Sequence, residues 1–93
     1  MTRLIIDVRT PHEYALRHLE GAINIDFHNP DFTSRILSLP KDLELIVYCN
    51  AGGRAGRAKT RLMGLGFPDV TSFGIMGACV ATGAPVIYQT TPE

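Results

Sequence analysis

The run Leu45-Ile46-Val47-Tyr48-Cys49-Asn50-Ala51-Gly52-Gly53-Arg54 constrains the fold of this chain more than any other stretch. Leu45 to Tyr48 is the continuous apolar segment expected of a strand buried on both faces of a parallel sheet. Ala55, Ala58, Leu62 and Leu65 then recur at three- and four-residue steps. That period predicts one buried face of an amphipathic helix. Strand, cysteine, small-residue loop and helix, in that order, put a thiol where backbone N–H groups and the positive helix end converge.

The 93 residues suffice for one domain, 1–93, and a hydrophobic fraction of 45% can build its core. The formal net charge is zero, which argues against a nucleic-acid partner or an anionic membrane surface. Charge is nonetheless uneven. Between Cys49 and Pro68 stand Arg54, Arg57, Lys59 and Arg61 with no acidic residue. Two cysteines make no disulfide framework, and Cys49 and Cys79 read as independent thiols. Leu4-Ile5-Ile6 is too short for a signal segment and no run reaches membrane-spanning length. A cytoplasmic monomer is expected, or an exported one if a signal peptide has been removed.

Elsewhere strands and helices alternate, which predicts an α/β fold with a small, mostly parallel sheet flanked by helices. Leu4–Val8 reads as a first strand. Thr10, Pro11 and Glu13 have the order of an N-cap, a first helical residue and a capping box. That helix is expected to run through Tyr14, Arg17 and His18 to Gly21. Ala22–Ile25 is a brief second strand. Asn29 or Asp31 caps a helix through Phe32, Ile36 and Leu37, stopped by Pro40. Gly64, Gly66 and Pro68 close the helix after Cys49, and Val70–Phe73 is a fourth strand. A last helical turn from Gly74 through Cys79 and Val80 follows, then an extended edge at Pro85–Tyr88. Sites in such sheets lie beyond the strands' carboxyl ends, where Asp7 to Arg9 and Cys49 to Arg54 fall.

A thiol reacts as the thiolate, favoured at a helix N-terminus or beside a cation. The small residues Ala51, Gly52 and Gly53 let loop N–H groups turn inward, and Arg54 adds a fork of donors suited to an oxyanion. A cysteine at a strand end can equally be a small buried hydrophobe. Asn50 can cap the following helix without touching substrate. The glycine pair and Arg54 favour a nucleophile in an anion-binding loop.

Asp7-Val8-Arg9-Thr10-Pro11-His12-Glu13-Tyr14 followed by His18-Leu19-Glu20-Gly21-Ala22-Ile23-Asn24-Ile25 resembles the N-terminal signature of rhodanese-like domains. Cys49-Asn50-Ala51-Gly52-Gly53-Arg54 resembles their six-residue active-site loop, and Leu65-Gly66-Phe67 with Gly83-Ala84-Pro85-Val86 fits the downstream pattern. The run is most similar to the short phage shock protein E type. The resemblance implies a rhodanese-like three-layer fold and a thiosulfate sulfurtransferase working without metal or cofactor. It implies that Cys49 takes sulfane sulfur from a small anionic donor as a persulfide and passes it to cyanide, a thiol or a sulfur-accepting protein. Asn50, Ala51, Gly52, Gly53 and Arg54 would bind the anion. Related phosphatases have a loop one residue longer, with their arginine at the position of Ala55, so the short loop favours sulfur. The chain departs from the family in lacking the opening strand and helix before Asp7, in Gly74-Ile75 for a Gly-Gly, and in Cys79 for a common tryptophan.

Arg9 and Glu13, four apart at a helix start, are expected to form an ion pair. Asp7 either orients loop groups or caps local backbone. Arg57 reads as solvated helix face, with the mouth of the site as the other reading. His12, His18 and His28 lack metal-ligand spacing with either cysteine, and Cys79 reads as core or, less simply, as a resolving thiol. Two rivals stand beside the sulfurtransferase: a persulfide carrier loaded by a partner protein, and a thiol phosphatase or arsenate reductase.

Overall fold

The computed structural model describes residues 3–49, 53–73 and 86–88. In chain order these form β1 (Arg3–Asp7), α1 (Pro11–Leu16), β2 (Arg17–Leu19), β3 (Ile23–Asn24), α2 (Phe32–Leu37), β4 (Glu44–Tyr48), α3 (Gly53–Gly64), β5 (Val70–Phe73) and β6 (Val86–Tyr88). Four strands make a parallel sheet in the order β3-β1-β4-β5, and β2 pairs antiparallel with β6 in a separate two-stranded ladder. In the central pair Leu4 lies against Leu45 and Asp7 against Tyr48. The strands are parallel because each returns through a helix or loop to the same edge.

Side chains alternate across the sheet and separate two cores. Ile6 on β1 and Val8 just after it, and Leu45 and Val47 on β4 with Cys49 just after it, join Phe32 and Ile36 of α2 and Ala55, Ala58 and Leu62 of α3. Ile5, Ile46 and Tyr48 face the other way, with Tyr14, Leu19 and Ala22. The three- and four-residue period read in α3 is therefore its buried stripe. Alanine at 55 and 58 lets the helix lie close to β4. Its end is a Schellman turn: Gly66 N–H bonds to Met63 C=O and Phe67 N–H to Leu62 C=O, with Gly66 at φ 103°. The turn delivers Phe67 into the core.

Several boundaries differ from the sequence reading. The helix begun at Pro11 stops at Leu16, and Arg17 takes extended backbone at φ −169°, ψ 150°. Arg17–Leu19 is strand because it pairs with Val86–Tyr88. Its carbonyl at Arg17 and its N–H at Leu19 are also taken by Arg9 Nη2 and Tyr48 Oη. The second strand shrinks to Ile23–Asn24. Asp31 holds the N-cap position of α2 without a side-chain cap bond, whereas Asn29 Oδ1 accepts from Asp31 N–H at 2.7 Å. The expected edge near Pro85–Tyr88 exists as β6, but it pairs with β2 rather than with the parallel sheet. The predicted turn from Gly74 through Cys79 to Gly83 lies outside the described residues.

Leu62 is fully buried beneath α3, so Leu62→Ala should cost about 2–5 kcal/mol of unfolding free energy. Urea denaturation reads this directly. A loss under about 1 kcal/mol would mean that the α3–sheet interface is not packed as described.

Candidate active site

The site lies at the carboxyl end of β4, where the chain leaves the sheet and enters α3. Cys49 directly follows the strand and is fully buried. The backbone N–H of Ala55, in the first turn of α3, donates to Cys49 Sγ at 3.4 Å. Helix N-termini carry N–H groups with no intrahelical acceptor, and here one of them is aimed at sulfur. Arg54, one residue earlier, places a cation on the same turn. Among the loop residues expected to bind an anion, Gly53 opens α3 and Arg54 follows it. Asn50, Ala51 and Gly52 lie outside the described residues.

Beneath the cysteine, on the opposite sheet face, sits a buried polar cluster. Asp7 ends β1 with no exposed surface. Its Oδ1 accepts from Arg9 N–H and Nε, both at 2.9 Å, and its Oδ2 from Arg9 Nη2 at 2.6 Å and Tyr48 Oη–H at 2.9 Å. Tyr48 Oη in turn accepts from Leu19 N–H at 3.0 Å. Asn24 Nδ2 donates to the carbonyls of Asp7 and Arg9. Burial works against the charge of Arg9, but the hydrogen bond and charge of Asp7 outweigh it and raise its pKa. Burial, reinforced by the charge of Asp7, pushes the Tyr48 phenol well above its ordinary range. It stays protonated and donates. Asp7 thus caps local backbone and fixes Arg9 and Tyr48, rather than contacting the cysteine loop among the described residues.

The expected Arg9–Glu13 ion pair is replaced by two others. Arg9 is taken by Asp7, and Glu13 pairs with Arg54: Nη1 to Oε1 at 2.8 Å and Nη2 to Oε2 at 3.3 Å. The reason is geometric. Arg9 is folded inward under the sheet edge, so the carboxylate of α1 is left to the arginine of α3. Glu13 also completes the capping box, accepting from Thr10 N–H at 3.0 Å while Thr10 Oγ1 accepts from Glu13 N–H at 3.2 Å. Chelation by Arg54, helped by Thr10 N–H, holds the Glu13 carboxyl down at about 2. Arg54 is raised in return by Glu13 foremost, with a further contribution from Cys49. The fork–fork geometry leaves Arg54 Nε and its outer N–H bonds for another acceptor.

Arg57 is exposed, but its guanidinium folds back along α3 to Gly53: Nη2 lies 3.6 Å from where a Cβ on Gly53 would be. His18 is engaged elsewhere, stacked on Tyr14 at 3.7 Å and donating from Nδ1 to the Tyr14 carbonyl. Among the described residues no three His, Cys, Asp or Glu side chains gather as metal ligands. Cys79 lies outside the described residues. Sequence reasoning found the capping box of Glu13 but missed its pairing with Arg54 and the buried hydroxyl of Tyr48. A tyrosine closing a buried strand signals a hidden hydroxyl partner, and that cue was available.

Comparison with known proteins agrees with this architecture. The Rhodanese-like domain family model matches residues 1–74, and the chain belongs to that family. It is 43% identical over 79 residues to protein HIGH ARSENIC CONTENT 1 of Arabidopsis thaliana, covering 74% of this chain and 47% of that protein. It is 39% identical over 71 residues to thiosulfate sulfurtransferase PspE of Escherichia coli, covering 74% of this chain and 66% of that one. The chain therefore spans about half of the first relative and about two thirds of the second. Among solved structures, a rhodanese with anions from E. coli superposes with a TM-score of 0.75 at 30% identity, covering 94% of this chain and 99% of that one.

The depressed Glu13 pKa sets a pH signature. A carboxylate with a lowered folded pKa stabilises above its unfolded value, and that stability disappears as pH falls through the folded one. Glu13→Gln should therefore be less stable than wild type by a constant margin, about 1 kcal/mol for a solvent-screened pair, above pH 4.5. The margin should close between pH 4.5 and about 2. Melting curves across pH measure it, and a margin independent of pH would rule out the Glu13–Arg54 pair.

Proposed function

We propose that this chain is a sulfurtransferase that moves sulfane sulfur from thiosulfate, or a similar small anionic donor, to cyanide or a thiol through a persulfide on Cys49. The observation that carries the reading is the placement of Cys49 Sγ under the first-turn N–H of α3, with Arg54 on the same turn. A thiolate there is favoured by the helix end and by the cation. It attacks the outer sulfur of thiosulfate, the sulfur–sulfur bond of the donor breaks, and sulfite leaves with the electron pair. The product is Cys49 carrying one added sulfur. An incoming thiolate or cyanide then takes that outer sulfur, the new bond on Cys49 breaks, and the cysteine returns as thiolate. No electrons are gained or lost over the cycle.

Asn50, Ala51, Gly52, Gly53 and Arg54 form the anion cradle in this reading, with Arg54 held in place by Glu13 and donating outward to the donor's sulfonate oxygens. The relative named thiosulfate sulfurtransferase supports the chemistry, and the solved rhodanese with anions supports anion binding. A setting in which thiols stay reduced, such as the cytoplasm, suits a catalytic Cys49. Among the described residues no helix is long and apolar enough to cross a membrane. A second reading, oxyanion reduction, draws on the relative whose name refers to arsenic.

The test uses reduced protein, thiosulfate and then cyanide. Intact mass should rise by one sulfur, cyanide should discharge it as thiocyanate, and Cys49→Ser should do neither. Arg54→Ala should weaken donor use by about 1.5–3 kcal/mol, seen as a raised apparent KM for thiosulfate. No adduct from thiosulfate but ready loading from a persulfidated protein would reassign the chain as a carrier. Turnover of arsenate without sulfur loading would favour the oxyanion reading.

A further inference from the structure

A groove of about 750 Å³ runs along α3 from its first residue, lined among the described residues by Phe27, Gly53, Gly56, Arg57, Thr60 and Arg61. Five of these six belong to α3 and follow its three- and four-residue spacing, so they form one ridge of that helix. Glycine keeps the ridge low. A Cβ at Gly56 would meet nothing within 4 Å, and Gly53 leaves its surface to the guanidinium of Arg57. Arg61 lies four residues further on, its guanidinium 4.8 Å over the ring of Phe27 and 5.7 Å from Phe32. Stacking holds the plane of Arg61 while leaving its edge N–H groups to donate. Among the described residues neither Arg57 nor Arg61 forms an ion pair. No carboxylate lies between Cys49 and Pro68 in sequence to neutralise them.

We propose that this groove is a subsite for the sulfur acceptor, and that the acceptor it takes is a small thiol carrying two carboxylates, held by Arg57 and Arg61. The inference rests on the sulfur-transfer reading for the step and on the groove alone for the binding. A thiosulfate-sized anion would leave most of the volume unfilled, whereas the volume is that of a small-molecule site. Two guanidinium groups one turn apart match two carboxylates on one short chain. Gly53, the first residue of α3 and four positions after Cys49, lines the groove, and a ligand anchored at Arg57 would direct its thiol past Gly53 to the outer sulfur. Its thiolate attacks that sulfur and the bond to Cys49 breaks. The electron pair returns to Cys49, and the ligand leaves as a small persulfide. The thiol's proton goes to solvent.

The test compares mercaptosuccinate, a dicarboxylate thiol, with 2-mercaptoethanol, a neutral one, in sulfide release at saturating thiosulfate. The ratio of their kcat/KM values should fall about tenfold in the Arg57→Gln, Arg61→Gln double variant. A ratio cancels any common change in folding or in the donor step. In parallel, S-methylmercaptosuccinate, which cannot accept sulfur, should bind the wild type in calorimetry and fail to bind the double variant. An unchanged ratio, or equal binding of the S-methyl compound to both proteins, overturns the subsite. If wild type shows no sulfur loading from thiosulfate, the sulfur-transfer reading fails by itself and the calorimetry still decides the groove. A preference for an acidic thiol protein, with no Arg-dependent difference between the small thiols, overturns the small-molecule occupant.

Discussion

The interaction on which the rest of the structure depends is the buried carboxylate of Asp7. It accepts from two groups of Arg9 side chain, from Arg9 backbone and from Tyr48 hydroxyl, with no solvent to share the work. Each partner reaches a different element. Arg9 Nη2 ties β2 through the Arg17 carbonyl, Tyr48 ties it again through Leu19 N–H, and Asn24 of β3 bonds the carbonyls on either side of Val8. A buried ion pair contributes little on balance when complete, but removing one partner costs roughly 3–5 kcal/mol because a charge is stranded. The cluster therefore acts as a lock more than as a source of stability. It fixes β1 to β4 at the point where both strands end.

That lock sits one residue before the cysteine and on the other side of the sheet. Tyr48 points down into the polar cluster, and Cys49, by strand alternation, points up against α3. The thiol's position follows from that of Tyr48, the residue before it. Glu13 and Arg54 then join the two layers over the sheet's carboxyl edge, since α1 packs on the Tyr48 side through Tyr14 and α3 on the Cys49 side through Ala55, Ala58 and Leu62. Arg54 is the residue most readily assigned to anion binding. In the proposed reading, pairing with Glu13 holds this long, flexible side chain in place, so that less entropy would be lost on binding a ligand.

Much of this was legible from local chemistry. The apolar run of β4 and the buried stripe of α3 follow directly from periodicity. So do the Thr10–Glu13 capping box and the glycine turn at Gly66, because each depends on neighbours in sequence. The partner of Glu13 was not legible. Spacing favoured Arg9, four residues away, while the true partner is 41 positions along the chain. Asp7 captured Arg9 only because burial makes an unpaired carboxylate so costly, and burial is a tertiary property. The early end of α1 has the same origin: Arg17–Leu19 could continue a helix on propensity, but β6, Arg9 and Tyr48 claim its backbone instead. Similarly, Arg57 reads as solvated face in sequence, and only the fold lays its guanidinium over Gly53.

The central claim is that the sulfur rides on Cys49 because of where β4 and α3 place it. Peptide mapping after a single thiosulfate exposure tests this most directly, with the persulfide trapped by alkylation before digestion. The account predicts one added sulfur on the peptide containing Cys49 and none on the peptide containing Cys79. Sulfur found on Cys79, or spread evenly over both, would contradict it.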